Sequence, residues 1–201
     1  MDARSQTTKA RLRAEVLATR RAADPVDRER AAVRITRRVL DLPVISDAGC
    51  VAAYLSFGAE PSTSELLAHL RSRGVRVLLP ILREDLDLDW AIYVGPQGVV
   101  QGGNGPGRPS GTALGVDKVA EADVVVVPAL AVGADGIRLG RGGGSYDRAL
   151  ARVPVHRPVV ALLYDGELLP RVPSEDHDRR VNLAVQPAGV TWFGQRGADP
   201  S

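Results

Sequence analysis

An α/β fold with a mostly parallel central sheet is predicted by three observations. Residues 50–79 read as strand, helix, strand, the unit that demands a parallel crossover. Residues 124–127 continue into 129–132 as an apolar, β-branched run, the pattern of a strand buried on both faces. A loop containing Gly140, Gly142, Gly143 and Gly144 then joins that strand to a segment of helix character starting at Ser145.

In chain order, residues 6–22 read as a helix with Ala10, Leu12, Val16 and Leu17 on one side. Lys9 and Arg13 are one turn apart on it and repel unless an anion sits between them. A solvated basic face is the plainer alternative. Asp24 and Pro25 supply the N-cap and first position of a second helix, residues 25–40. Its Val33, Val39 and Leu40 should face inward, and Pro43 should stop it.

Residues 50–55 form a buried strand carrying Cys50. Ser62 and Glu65 have capping-box spacing for a helix over 65–73, Gly74 suits its C′ position, and 75–79 is the next strand. Ligands of open α/β sheets bind outside the carboxyl ends of strands, which places residues 55–60 and Pro80 at the expected site. Residues 86–94 read as a strand with Trp90 in the core, and 95–115, rich in Gly and Pro, as a long loop. After the glycine loop, 158–164 and 181–185 read as the remaining strands. One domain over 1–193 and a disordered tail over 194–201 are expected.

Composition narrows the function classes. The 201 residues are 44% hydrophobic and 25% charged, ordinary for a globular protein, with no apolar run long enough to span a membrane. The single Cys50 forms no internal disulfide and suits a reducing cytoplasm. Net charge is +2, but the first 38 residues hold eleven Lys/Arg against five Asp/Glu, an excess of six. Aromatics are only 4%, so the excess suits a small anionic substrate better than nucleic acid.

The glycine loop carries the chemistry. Its glycines let the backbone take positive φ and approach a ligand closely, and the helix that follows offers unpaired N–H groups. Arg138, Arg141 and Arg148 add cationic forks for phosphate or carboxylate, and Asp147 is an oxygen ligand for a hard cation such as Mg²⁺. A phosphate-binding loop with a metal-capable carboxylate is the reading. It is neither a Walker A loop nor a dinucleotide fingerprint. His177, between Asp176 and Asp178, completes no zinc set, and no nucleophilic triad can be placed.

Four ordered segments resemble the 5-formyltetrahydrofolate cyclo-ligase family, also called 5,10-methenyltetrahydrofolate synthetases. They are Lys9 to Arg13; Tyr54-Leu55-Ser56 with Glu60 and Thr63; Gly136 to Arg148; and Val172-Pro173 with His177-Asp178. The resemblance implies a three-layer α/β/α fold akin to ribose-phosphate isomerase and CoA-transferase domains. It implies ATP- and Mg²⁺-dependent conversion of 5-formyltetrahydrofolate to 5,10-methenyltetrahydrofolate, with ADP and phosphate released. Carried over by position, Lys9, Arg13, Arg138, Leu139, Gly140, Arg141, Gly142, Gly143, Gly144, Ser145 and Tyr146 would hold ATP. Leu55, Glu60 and residues 141–145 would contact the folate, Asp147 and Asp178 would serve the metal, and Arg141 would bear charge in the reaction. The implied small-molecule partners are reduced folate and ATP; no nucleic acid or membrane partner is expected, and the protein is expected to be a monomer. Val132-Gly133, Ser145 and Arg108 depart from the family pattern. A non-catalytic folate or nucleotide binder and a sugar-phosphate isomerase on the same fold are the alternatives.

Overall fold

The computed structural model describes residues 3–100, 106–175 and 178–194, with side chains from residue 7 onward. Asp176, His177, the tail from 195 and residues 101–105 of the long loop lie outside the described residues. The chain runs α1 (Ala3–Ala22), α2 (Pro25–Leu40), α3 (Pro43–Ser46), β1 (Cys50–Ala52), α4 (Ser64–Ser72), β2 (Arg76–Leu82) and β3 (Leu88–Ile92). Two short strands follow, β4 (Val99–Val100) and β5 (Arg108–Pro109), then β6 (Val124–Pro128), β7 (Ala131–Gly133) and β8 (Arg138–Leu139). Last come α5 (Ser145–Arg152), β9 (Val159–Leu162), β10 (Leu168–Leu169), β11 (Leu183–Val185) and β12 (Val190–Trp192).

Seven strands form the main sheet in the order β12-β11-β9-β6-β1-β2-β3. The five inner strands are parallel, and β3 and β12 run antiparallel at the edges. The pleat sends alternate side chains to opposite faces. Val51, Val77, Val124, Val126 and Val160 meet Ile35 and Val39 of α2 and Leu66, Leu67 and Leu70 of α4. Cys50, Ala52, Val125, Val127 and Ala161 meet Trp90 and Ala149 and Leu150 of α5 on the other. This is the expected three-layer α/β/α arrangement. A small sheet, β10-β7-β8, stands apart, and Leu12, Val16 and Leu17 of α1 cover it.

The chain winds outward from β1 in one direction through β2 and in the other through β6 and β9. The switch point therefore lies between β1 and β6, where the connections leave in opposite directions.

Local chemistry explains most elements. The Asp24 side chain accepts the Val26 N–H at 2.7 Å to start α2, with Pro25 in its first turn. Gly74, at φ 79°, takes the left-handed position after α4. Four sequence expectations are corrected. Val33 is 59% exposed; Ala32, Ile35, Thr36, Val39 and Leu40 form the buried stripe of α2. The Ser62–Glu65 box does not form: Thr63 is the N-cap without a side-chain cap bond, because its Oγ1 donates to Tyr54 O and accepts from Ser56 N. The apolar run 124–132 is two strands in two sheets, divided after Pro128, which has no N–H to continue a ladder. A further edge strand, β12, follows β11, which was expected to be the last.

α1 is fastened by a buried ion pair. Arg20, 2% exposed, donates from Nε to Glu167 Oε1 and from Nη2 to Glu167 Oε2, both at 2.7 Å, and Nη2 also reaches Ala129 O. Removing one partner of such a pair strands a buried charge. Glu167→Ala should therefore lower unfolding free energy by about 3–5 kcal/mol in urea titrations. A loss of less than about 1 kcal/mol, the value of a surface pair, would show that the cation finds water there.

Candidate active site

A cleft of about 1370 Å³ opens over the carboxyl ends of β1, β2 and β6. The residues assigned to nucleotide, folate or metal from the sequence line it: Lys9 and Arg13, Leu55 and Glu60, the whole stretch 138–147, and Asp178. They come from α1, the loop after β1, the β7–β8 hairpin with its glycine loop, the start of α5, and the segment before β11. Pro80, at the carboxyl half of β2, lies in the wall as the sheet rule predicts.

The hairpin sets the glycine loop. β7 and β8 pair antiparallel, Val132 opposite Arg138, with Gly136 at φ 80° in the turn between them. The loop then rises to α5. Gly142 has φ 104°, and a Cβ there would meet the Arg13 guanidinium at 3.4 Å, so backbone and arginine approach closely. Arg13 Nε donates to Gly140 O at 2.9 Å and holds the loop to α1. Gly144 is the N-cap of α5 at φ 66° and brings no capping side chain. The amides of the first turn of α5 thus keep their attraction for an anion.

Two of the arginines act on the protein itself. Arg148 Nη2 donates to Leu86 O at 2.6 Å and Gly143 O at 2.9 Å, so it braces the loop rather than projecting a fork into the cleft. Arg138, 6% exposed, donates from Nη2 to Asp147 Oδ1 at 3.0 Å, reaches Pro128 O, and lies over the Tyr146 ring. Asp147 Oδ1 also accepts the Arg179 N–H at 3.2 Å, which brings the chain beside Asp178 up to Asp147.

Lys9 is buried, and its Nζ meets Asp178 Oδ2 at 2.7 Å and Glu175 Oε1 at 3.5 Å. The anion that its spacing from Arg13 called for is supplied, at least in part, by the protein. Glu175 was not singled out from the sequence, since nothing local pairs it with a lysine on α1. Among the described residues no three His, Cys, Asp or Glu side chains cluster to cage a metal. Asp147 and Asp178 fit Mg²⁺ nonetheless, because that ion is ordinarily held by one or two carboxylates together with substrate phosphates and waters.

Glu60 accepts the Phe57 N–H at 2.9 Å and the Arg141 Nε–H at 3.0 Å. Arg141 lies over the Phe57 ring, 5.6 Å from its centroid. Phe57 is a cleft residue that sequence reasoning missed; as one of two phenylalanines, three residues before Glu60, it was findable. Burial, then the Glu60 charge, push the Tyr146 hydroxyl well above its ordinary pKa, with Arg138 opposing. Burial and Glu60 push Tyr54 the same way. Both phenols are neutral at pH 7 and able to donate.

Residues 5–187 match the model of the 5-formyltetrahydrofolate cyclo-ligase family. The chain is 37% identical over 188 residues to 5-formyltetrahydrofolate cyclo-ligase of Mycolicibacterium smegmatis, covering 91% of this chain and 95% of that protein. It is 29% identical over 174 residues to the Escherichia coli enzyme of the same name, covering 85% and 96%. In fold it is similar to the NMR structure of Aquifex aeolicus 5,10-methenyltetrahydrofolate synthetase, with TM-score 0.79 at 24% identity over 96% of this chain and 94% of that one. The synthetase from Mycoplasma pneumoniae superposes with TM-score 0.71 at 17% identity over 88% and 97%. Among the described residues no helix is long and apolar enough to cross a membrane. With a family match across most of its length and a relative well above 30% identity, the chain belongs to the 5-formyltetrahydrofolate cyclo-ligase family and is an enzyme of that class.

Proposed function

We propose that this enzyme cyclises 5-formyltetrahydrofolate to 5,10-methenyltetrahydrofolate at the expense of ATP, with Mg²⁺, in the cleft at the β1/β6 switch point. The observation that carries the reading is convergence: a glycine loop, two α1 cations and two carboxylates suited to a metal line the same cleft as Glu60.

Each group has a role its chemistry supports. The residue 140–145 backbone, Arg13 and Lys9 hold the triphosphate, with the uncapped first turn of α5 facing its negative charge. Asp147 and Asp178 hold Mg²⁺, which when bound neutralises phosphate charge as a Lewis acid. Arg138, lying over the Tyr146 ring, contributes by holding Asp147. Glu60 accepts hydrogen bonds from the pterin amino group and ring N–H, beside Leu55.

A formamide oxygen is a weak nucleophile, so placement and charge neutralisation must do the catalysis. The formyl oxygen bonds to the γ-phosphorus and the bridging P–O bond to ADP breaks, leaving a phosphorylated iminium. N10 bonds to the formyl carbon and gives up its proton, and the C–O bond to phosphate breaks, leaving the methenyl bridge. Arg141 bears developing charge on the phosphoryl group. No protein nucleophile takes part, and the one cysteine is 2% exposed in the sheet core.

The test is absorbance in the methenyltetrahydrofolate band with purified protein, 5-formyltetrahydrofolate, Mg²⁺ and ATP. A rise that needs both ATP and Mg²⁺ is expected. A flat trace from folded protein would overturn the reading, and a rise without ATP would overturn the phosphoryl-transfer route.

A further inference from the structure

The contact between Arg141 and Glu60 joins the two halves of the proposed site. Glu60 is the fixed member: its side chain is 9% exposed, and Oε2 is tied to the Phe57 N–H at 2.9 Å. Arg141 is the loose member, 48% exposed, on a loop between Gly140 and Gly142. Its Nε donates to Glu60 Oε1 at 3.0 Å while its guanidinium carbon lies over the Phe57 ring.

A guanidinium is a planar carbon bearing three nitrogens, with N–H donors along its edge. The pyrimidine edge of a 2-amino-4-oxopterin contains the same fragment, since C2 is bonded to N1, N3 and the amino nitrogen. Its donors are N3–H and the amino group. The arginine thus offers the substrate's own pattern of donors to the carboxylate assigned to the substrate. It does so over an aromatic ring of the kind that stacks on planar nitrogen systems.

We propose that Arg141 occupies the pterin position in the folate-free enzyme, and that the pterin displaces it, stacks on Phe57 and takes over Glu60. The displaced Arg141 then turns to the phosphoryl group. This rests on the functional reading above and adds two things to it: Phe57 as a substrate-contacting residue, and an exchange that completes the phosphate side only once folate has arrived. Gly142, already at φ 104°, gives the loop the backbone freedom such a swing requires. ATP bound alone meets a site whose arginine is occupied elsewhere, so idle hydrolysis is slow.

The exchange makes an unusual prediction, read by calorimetric titration of 5-formyltetrahydrofolate without nucleotide, alongside turnover. Arg141→Ala should bind the folate more tightly, by about two- to fivefold, the worth of the exposed ion pair it no longer has to break. The same variant should lose most of its turnover. Phe57→Leu should weaken folate binding by about two- to tenfold with ATP affinity unchanged, and Phe57→Trp should restore it. Weaker or unchanged folate binding in Arg141→Ala would overturn the exchange. Wild-type folate affinity in Phe57→Leu would overturn the stacking role. A wild-type protein that binds no 5-formyltetrahydrofolate would instead overturn the functional reading beneath both.

Discussion

Asp147→Asn is expected to cut turnover on the order of 100-fold or more, the range for losing a metal's charge stabilisation, while the protein stays folded. The structure explains why the second half should hold. The hydrogen bonds that Asp147 accepts from Arg138 Nη2 and the Arg179 amide converge on Oδ1. An asparagine oxygen can still accept both. What is lost is the negative charge that a hard cation needs, and Mg²⁺ binds amide oxygens far less readily than carboxylates. The check is a Mg²⁺ titration of initial rate together with a thermal melt. Wild-type rate at wild-type Mg²⁺ would remove Asp147 from the metal, and a collapsed melting temperature would mean that Asp147 serves mainly to neutralise Arg138.

Glu60→Gln should raise the folate KM by about 10- to 100-fold, the range for losing a charged hydrogen-bond acceptor. The KM for ATP should change much less, since Glu60 bonds Phe57 and Arg141 whereas Lys9 and Asp178 bond each other. The variant also releases Arg141 from its ion pair, which on the exchange proposed here favours folate and offsets part of the loss. The double variant Glu60→Gln/Arg141→Ala should therefore depart from additivity, because the two side chains share one interaction. Equal effects on both KM values in the single variant would contradict a pterin role for Glu60.

Some of this protein was determined by its sequence alone, and those features share a physical basis. They depend on neighbours in the chain. The Asp24-Pro25 start of α2, the left-handed glycine after α4, the doubly buried run 124–127 and the glycine-to-α5 junction each follow from local sterics and hydrogen bonding. The order of the site segments along the chain likewise marked Lys9, Arg13, Leu55, Glu60, residues 138–147 and Asp178, which line one cleft, but not Phe57 beside them.

Tertiary structure alone decided the pairings. Lys9 with Asp178, Arg20 with Glu167 and Arg141 with Glu60 join residues 169, 147 and 81 positions apart. The order of strands brings them together, and local spacing does not encode which charge finds which. The same holds for Thr63, whose hydroxyl abandons the helix cap for the Tyr54 carbonyl, and for the run 124–132, divided between two sheets. Charged side chains on a surface of many arginines have several near-equal partners until burial selects one. Desolvation makes that selection, and it exists only once the sheet has formed.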